Sequence, residues 1–235
     1  MYSIINIMKT GRELRFLLHE IKGYVFFLII FPLTCYLWFS ELHNIKYTLL
    51  IISLPIIVSY LIPYFGTNVL KLWEFKSHAK FGNMPFHHGI SLGSCINLFG
   101  FICFKLSPHY KDNWDSIFFS MVVAALITFW NYDADIRAVK HGYLIIHNKA
   151  NYEHKHPYEI VYDYAVPYFY TFGTLYGLYI KLIQYYMINQ VNWLFVIFYY
   201  IDVLFFPTIV YAISSYIRNK NFGILPYKSE DEKEK

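Results

Sequence analysis

Residues 48–65, TLLIISLPIIVSYLIPYF, form an uninterrupted run without a charged side chain. A helical run of about 20 apolar residues matches the thickness of the hydrocarbon core of a bilayer. Five other runs of similar character occur along the chain, at residues 24–40, 89–106, 116–132, 163–186 and 192–216. The sequence therefore predicts an all-α integral membrane bundle with about six transmembrane helices.

The composition of the chain supports this prediction. Of the 235 residues, 57% are hydrophobic and only 15% are charged, whereas a soluble domain usually carries about 25% charged residues. The net charge of +4 could suit nucleic acid in a soluble protein, but here the cations sort by loop, so we expect no nucleic-acid partner. Three cysteines lie within apolar runs and form no CxxC pair, which favours free thiols over a disulfide.

Lysine and arginine are distributed unevenly between the two sides of the predicted bundle. Sixteen fall in the N-terminal segment, the second and fourth loops and the tail, whereas three fall on the other side. Because cytosolic loops retain Lys and Arg, this pattern predicts that both termini are cytosolic. The first apolar run follows a charged segment and ends without a small-residue cleavage site, so we expect no cleavable signal peptide.

Three segments of the chain differ in composition. Residues 1–22 mix apolar side chains with basic ones, which predicts an amphipathic helix on the membrane surface. Residues 23–216 make up the predicted six-span transmembrane domain. Residues 217–235 end in KSEDEKEK, which predicts a charged, disordered cytosolic tail.

Histidine is concentrated on the predicted cytosolic side. Eight of the ten histidines fall there, most of them in two long loops, 66–88 and 133–160. Imidazoles together with carboxylates suit iron, zinc or another transition metal. The sequence thus predicts a metal site at the cytosolic membrane surface. The predicted ligands are Glu74, His78, His87, His88, His141, His147, His154 and His156.

The geometry expected for the first loop depends on its local structure. If residues 69–79 are helical, Glu74 and His78 share one face. His87 and His88 open the third span, and adjacent residues on a helix point about 100° apart. We therefore expect only one of these two imidazoles to face inward.

Side chains of the second loop complete the predicted site. His154 and His156 would point the same way in an extended segment. Asp133 and Asp135 form a DxD pattern, to which we assign a catalytic role, although Asp133 could equally form a salt bridge with Arg137 four residues on. The predicted function is a membrane enzyme that acts on a lipid or other hydrophobic substrate by oxidative or hydrolytic chemistry. The HxxxH and HxxHH boxes of membrane desaturases are absent, so no family is assigned.

Two other functions remain open. Lys181, Asp202 and Asn97 are polar residues inside predicted spans, where charges are costly and are candidates for function by default. They predict either a transport path or a structural ion pair between Lys181 and Asp202. Gly173 and Gly177 form a GxxxG pattern, which favours close helix contact and would suit a homo- or hetero-oligomer. The third hypothesis is thus a non-catalytic subunit of a membrane complex.

Overall fold

The computed structural model describes residue 14 and residues 17–107, 113–188 and 192–228. Six long helices and one short helix make up most of this part of the chain. They are α1 (Leu17–Leu42), α2 (Ile45–Val69), α3 (His88–Leu106), α4 (Asn113–Lys140), α5 (Lys149–Tyr152), α6 (Pro157–Ile188) and α7 (Trp193–Asn219). The fold is therefore the all-α membrane bundle that the apolar runs predict.

Five of the long helices are apolar and long enough to cross a membrane by length and composition, and α6 is the exception. Nine tyrosines lower the hydropathy of α6, which is nevertheless the longest helix, with 32 residues. It runs antiparallel to α4 and also packs against α2, α3 and α7. α6 therefore packs along the length of α4 and contacts three more of the long helices.

Two glycines allow α4 and α6 to approach closely. A Cβ atom on Gly173 would lie 2.6 Å from the Cα of Ala124, and one on Gly177 would lie 2.6 Å from the Cα of Ser120. Backbone atoms cannot move aside as a flexible side chain can, so only glycine fits at both positions. The GxxxG face that we expected at an oligomer contact is therefore occupied within the chain.

Asparagine residues cap two of the helices, and proline residues lie inside helices. The side chain of Asn44 accepts hydrogen bonds from backbone N–H groups in the first turn of α2, and Asn192 does the same for α7. Such caps satisfy donors that have no partner within the helix. Pro55, Pro63 and Pro207 lie inside helices, where a membrane bundle tolerates them.

The described part of the chain contains four short strands, which lie at one end of the bundle. They are β1 (Trp73–Phe75), β2 (Lys80–Phe81), β3 (Met84–Pro85) and β4 (Leu144–Ile146). β2 and β3 form a hairpin, whereas β1 pairs antiparallel with β4, so that the two histidine-rich loops meet. Both loops thus lie at the same end of the bundle. This end, which carries His87, His88, His141 and His147, is called the histidine end below.

One local prediction of helix structure is wrong. Residues 69–79 are not a helix but contain β1, so Glu74 and His78 share no helix face. The boundary predicted at residue 22, between a surface helix and the first span, falls inside α1, which is continuous from Leu17 to Leu42. The rest of the predicted amphipathic helix lies outside the described residues.

The tail that we expected to be disordered begins within α7. α7 runs to Asn219, and the segment that follows it folds back onto the histidine end. The backbone N–H of Tyr227 donates a hydrogen bond to the carbonyl of His147, over 2.9 Å. The order therefore extends through residue 228, and residues 229–235 lie outside the described part of the chain.

A buried carboxylate ties the end of α7 to the start of α6. Asp163 is only 6% exposed. The side-chain amide of Asn219 donates to its Oδ1 over 2.6 Å, and the Arg218 guanidinium lies 3.4 Å from the same oxygen. Asn148 donates to Oδ2 over 3.3 Å. This network fixes the helix ends that surround the site.

Candidate functional site

A cavity of about 230 Å³ opens at the histidine end and extends into the bundle. A single buried water needs only about 10–15 Å³. The lining on α3 runs from His88 to Ile96, and the lining on α6 runs from Tyr164 to Phe172. Each stretch rises by about 12 Å along its helix. The cavity therefore reaches from the helix ends towards the middle of the bundle.

The inner part of the cavity is apolar and aromatic. Its walls include Val58, Leu92, Ile96, Trp130, Phe169 and Phe172. Polar side chains, among them histidines, a carboxylate and tyrosines, gather nearer the helix ends. An apolar pocket with a few converging polar groups is the usual form of a small-molecule binding site.

Asp135 and Tyr164 form a hydrogen-bonded pair on the cavity wall. The hydroxyl of Tyr164 donates to Oδ2 of Asp135 over 2.6 Å, and both residues line the cavity. The antiparallel packing of α4 and α6 brings them together. A carboxylate and a phenol in contact within a poorly solvated site can hold or pass a proton at that position.

His87 is buried against α1 and lines the cavity. It is 4% exposed, and its Nε2 edge packs over Gly23, where a Cβ would lie 2.1 Å from Nε2. Its Nδ1 has no hydrogen-bond partner among the residues that the structure describes. Burial lowers the pKa of His87 and outweighs the attraction of Glu20, so the imidazole is neutral at neutral pH.

Tyr168 presents a second unpartnered polar atom. Its hydroxyl is buried and has no hydrogen-bond partner within the described chain, and the residue lines the cavity one helical turn below Tyr164. A buried hydroxyl without a partner is costly, by about 1–3 kcal/mol. This hydroxyl and Nδ1 of His87 are both covered by protein atoms.

Three rings from two segments meet beside the cavity. Nε2 of His19 lies 3.3 Å from Nδ1 of His141, and the ring of His19 stacks on that of Tyr143 with centroids 5.3 Å apart. Burial raises the pKa of the Tyr143 hydroxyl, and the charge of Glu20 adds to this effect. Tyr143 is therefore a neutral phenol at this position.

The eight predicted metal ligands divide into two groups. His87, His88 and His147 line the cavity, and His141 contacts His19 beside it. The expectation that only one of His87 and His88 faces inward is wrong, because His87 precedes the helix as its N-cap. The remaining four, Glu74, His78, His154 and His156, are exposed and do not line the cavity.

His78 is instead held by a carboxylate on α1. Its Nδ1 lies 2.6 Å from Oε2 of Glu20, whose Oε1 accepts hydrogen bonds from Ser77 and from the backbone of His78. Among the described residues, no group of three or more His, Cys, Asp or Glu side chains is arranged to hold a metal ion. The predicted metal site therefore stays a prediction.

The two aspartates of the DxD pattern have different surroundings. Asp133 forms a salt bridge with Arg137, one helical turn further along α4, on a half-exposed face. Asp135 points into the cavity wall and bonds to Tyr164. Asp135 is thus the aspartate that is placed to meet a ligand.

The polar residues of the transport hypothesis do not form one path. Lys181, 1% exposed, lies 3.1 Å from Asp115 and donates to the carbonyl of Ser107, so the predicted ion pair with Asp202 is wrong. Asp202 lies on the exposed face of α7. Asn97 is fully buried and accepts a hydrogen bond from Tyr176 over 2.7 Å. Its surroundings are those of a structural core residue.

Several residues of the site were missed by sequence reasoning. They are Lys22, Tyr143, Tyr164 and Tyr168. Among 24 tyrosines, no single one stands out in the sequence. The four-residue spacing of Tyr164 and Tyr168 places them on one helix face, and this spacing was the available signal.

No protein-family model, no curated protein and no solved structure matches this chain. Its function is therefore argued from the geometry of the site.

Proposed function

We propose that this chain is a membrane enzyme that holds a lipid or another hydrophobic molecule in the cavity at the histidine end and acts on it there. The observation that carries this proposal is an apolar cavity with a carboxylate and a phenol, Asp135 and Tyr164, in contact on its wall.

The proposed chemistry centres on Asp135 and Tyr164. Their hydrogen bond of 2.6 Å places an acid and a base side by side on the wall of an apolar pocket. Such a pair can take a proton from a bound molecule or return one, as general acid–base catalysis requires. The inner walls hold the apolar part of the substrate and exclude water from the reacting group.

Binding is tested by filling the cavity. Ala134 lines it, so Ala134→Phe should displace a bound molecule. Ala125 lies on the same helix but is exposed on the outer face, so Ala125→Phe is the matched control. Native mass spectrometry of the purified chain should detect a bound lipid in the wild type and in Ala125→Phe, but not in Ala134→Phe. Equal occupancy in all three proteins would contradict the proposal.

Turnover is tested by removing the proposed base. Asp135→Asn keeps the shape of the side chain and can still meet Tyr164, but it cannot accept a proton as a carboxylate does. Membrane lipids incubated with wild-type protein should gain a product mass that is absent with Asp135→Asn, while the variant still retains bound lipid. If both proteins leave the same lipids unchanged, the cavity binds without catalysing.

The metal prediction is tested separately. A transition metal held by His141 and its neighbours would appear in elemental analysis of the purified protein. It should be lost in His141→Ala and kept in His156→Ala, because His156 is exposed and lies away from the cavity. Absence of metal from the wild-type protein would contradict the metal prediction but not the proposed acid–base chemistry.

A further inference from the structure

One face of α7 packs against the bundle, and the opposite face is exposed. Val196, Val203 and Pro207 are buried, and the hydroxyl of Tyr200 lies 2.7 Å from that of Ser53 on α2. Only 17% of the most apolar stretch of α7 is buried, compared with 50% for α3. Most of the surface of α7 is therefore available to lipid or to another protein.

A carboxylate lies on this exposed face. Asp202 is the tenth residue of α7, so it lies about 14 Å along the axis from Trp193, close to the middle of a hydrocarbon core of about 30 Å. The side chains at one-turn spacing, Phe198, Phe205 and Phe206, are 50–64% exposed. A carboxylate inside a span is costly and is almost always paired or turned towards a polar interior. Asp202 is on the opposite, apolar side.

The described part of the chain provides no ion pair for Asp202. Tyr199, one helical turn before it, donates its hydroxyl to the carbonyl of Leu175 over 2.7 Å. Lys181, the basic residue buried inside the bundle, lies 3.1 Å from Asp115. These two donors are therefore committed to other partners.

A second copy of the chain does not offer the complementary charge. Apart from the buried Lys181, the described Lys and Arg residues lie near helix ends or in loops, not near the middle of a span. A symmetric contact of two copies through α7 would place two Asp202 carboxylates together, and like charges repel. Charge complementarity therefore favours a different protein with a cation at this depth.

We propose that the exposed face of α7 binds a transmembrane helix of a partner protein that carries an arginine or a lysine at the depth of Asp202. The ion pair forms where the dielectric constant is low, which strengthens the attraction. Phe198, Phe205 and Phe206 pack against the apolar side chains of the partner helix and keep lipid away from the pair. This contact is separate from the proposed activity, because Asp202 does not line the cavity.

The test uses synthetic helices as partners. Full-length protein with a donor dye at its C-terminus is reconstituted into phosphatidylcholine vesicles with acceptor-labelled, leucine-rich peptides of about 20 residues. The peptides differ only at the central position, which is Arg, Glu or Leu. Energy transfer should show that wild-type protein binds the Arg peptide about tenfold more tightly than the Leu peptide, since tenfold corresponds to one charge-assisted contact. The Glu peptide should bind no better than the Leu peptide.

Three variants define the site. Asp202→Asn should lower binding of the Arg peptide to the level of the Leu peptide, whereas Asp202→Glu should keep the preference. Asp133→Asn is the matched control, because Asp133 is a half-exposed carboxylate at the histidine end.

Three outcomes would overturn the proposal. Equal binding of the Arg and Leu peptides by wild-type protein would mean that this face meets only lipid. A preference that persists in Asp202→Asn would place the contact elsewhere. Energy transfer between two differently labelled copies of the chain, lost in Asp202→Asn, would assign the face to self-association.

Discussion

Asp135 and Tyr164 show how the site is made at the scale of single residues. They are separated by 29 positions in the chain, and neither has a sequence motif that predicts the contact. Their meeting depends on the register of α4 against α6, which two glycines set. Buried polar atoms such as these govern both the stability of the site and its chemistry.

Removal of the Tyr164 hydroxyl should cost stability. Tyr164→Phe leaves Asp135 without its donor, and we expect a loss of about 1–3 kcal/mol in the free energy of unfolding. Tyr162→Phe is the control, because Tyr162 is exposed on the same helix. Thermal unfolding in nanodiscs measures both. Equal melting temperatures for the two variants would mean that the hydrogen bond between Tyr164 and Asp135 does not contribute to stability.

The buried imidazole of His87 should make stability depend on pH. Its pKa is lowered by burial, whereas the unfolded chain binds a proton with the ordinary pKa of 6.5. Unfolding therefore takes up a proton as the pH falls below about 6.5, and the folded state loses stability in that range. Melting temperatures from about pH 8 to about pH 5 should fall less steeply in His87→Gln than in wild type. The exposed-site variant His156→Gln should keep the wild-type slope, and a shared slope for all three proteins would rule out this role.

At the scale of elements, α6 packs against four other long helices although it is not among the candidate membrane spans. Tyr176 and Tyr179 are fully buried against its neighbours, Tyr164 and Tyr168 line the cavity, and its glycines allow α4 to approach closely. Hydropathy alone therefore does not identify this helix as part of the bundle. Its contacts with α4 and α7 do so.

Substitution of Gly177 should separate α4 from α6. In Gly177→Ala the new methyl group would contact the backbone of Ser120, and overpacking of this kind costs about 1–3 kcal/mol. Thr174→Ala, three residues earlier and partly exposed, should change stability by less than about 0.5 kcal/mol. Unfolding in nanodiscs compares the two, and a Gly177→Ala protein as stable as wild type would show that the contact can relax.

Asp202 should destabilise the isolated chain. It lies on the exposed face of α7, flanked at one-turn spacing by Phe198 and Phe206, both exposed. A carboxylate facing lipid near the centre of a span costs about 2.5–3.5 kcal/mol. Asp202→Leu should therefore raise the melting temperature in nanodiscs, and Asp202→Asn should raise it less. A decrease in both variants would indicate that the carboxylate is bound by something other than lipid.

At the scale of the whole molecule, the sequence predicted the membrane bundle and the meeting of two histidine-rich loops. Apolar runs, and the Lys and Arg residues between them, are features of local composition, so the sequence predicts them directly. The contacts within the site depend on how the helices pack, so the sequence identified Asp135 but not its partner Tyr164. The segment that was expected to be a helix contains β1, which pairs with β4, and Glu74 and His78 are exposed. Nothing in the sequence of the charged tail predicted the backbone hydrogen bond from Tyr227 to His147.

The central claim is that the cavity at the histidine end holds an amphipathic molecule. An experimental structure of the full chain in lipid nanodiscs, at side-chain resolution, tests it directly. The account predicts elongated density that begins beside His88, passes the Asp135–Tyr164 pair and ends near Phe172. A cavity that is closed by its own side chains, or that contains only water, would contradict it.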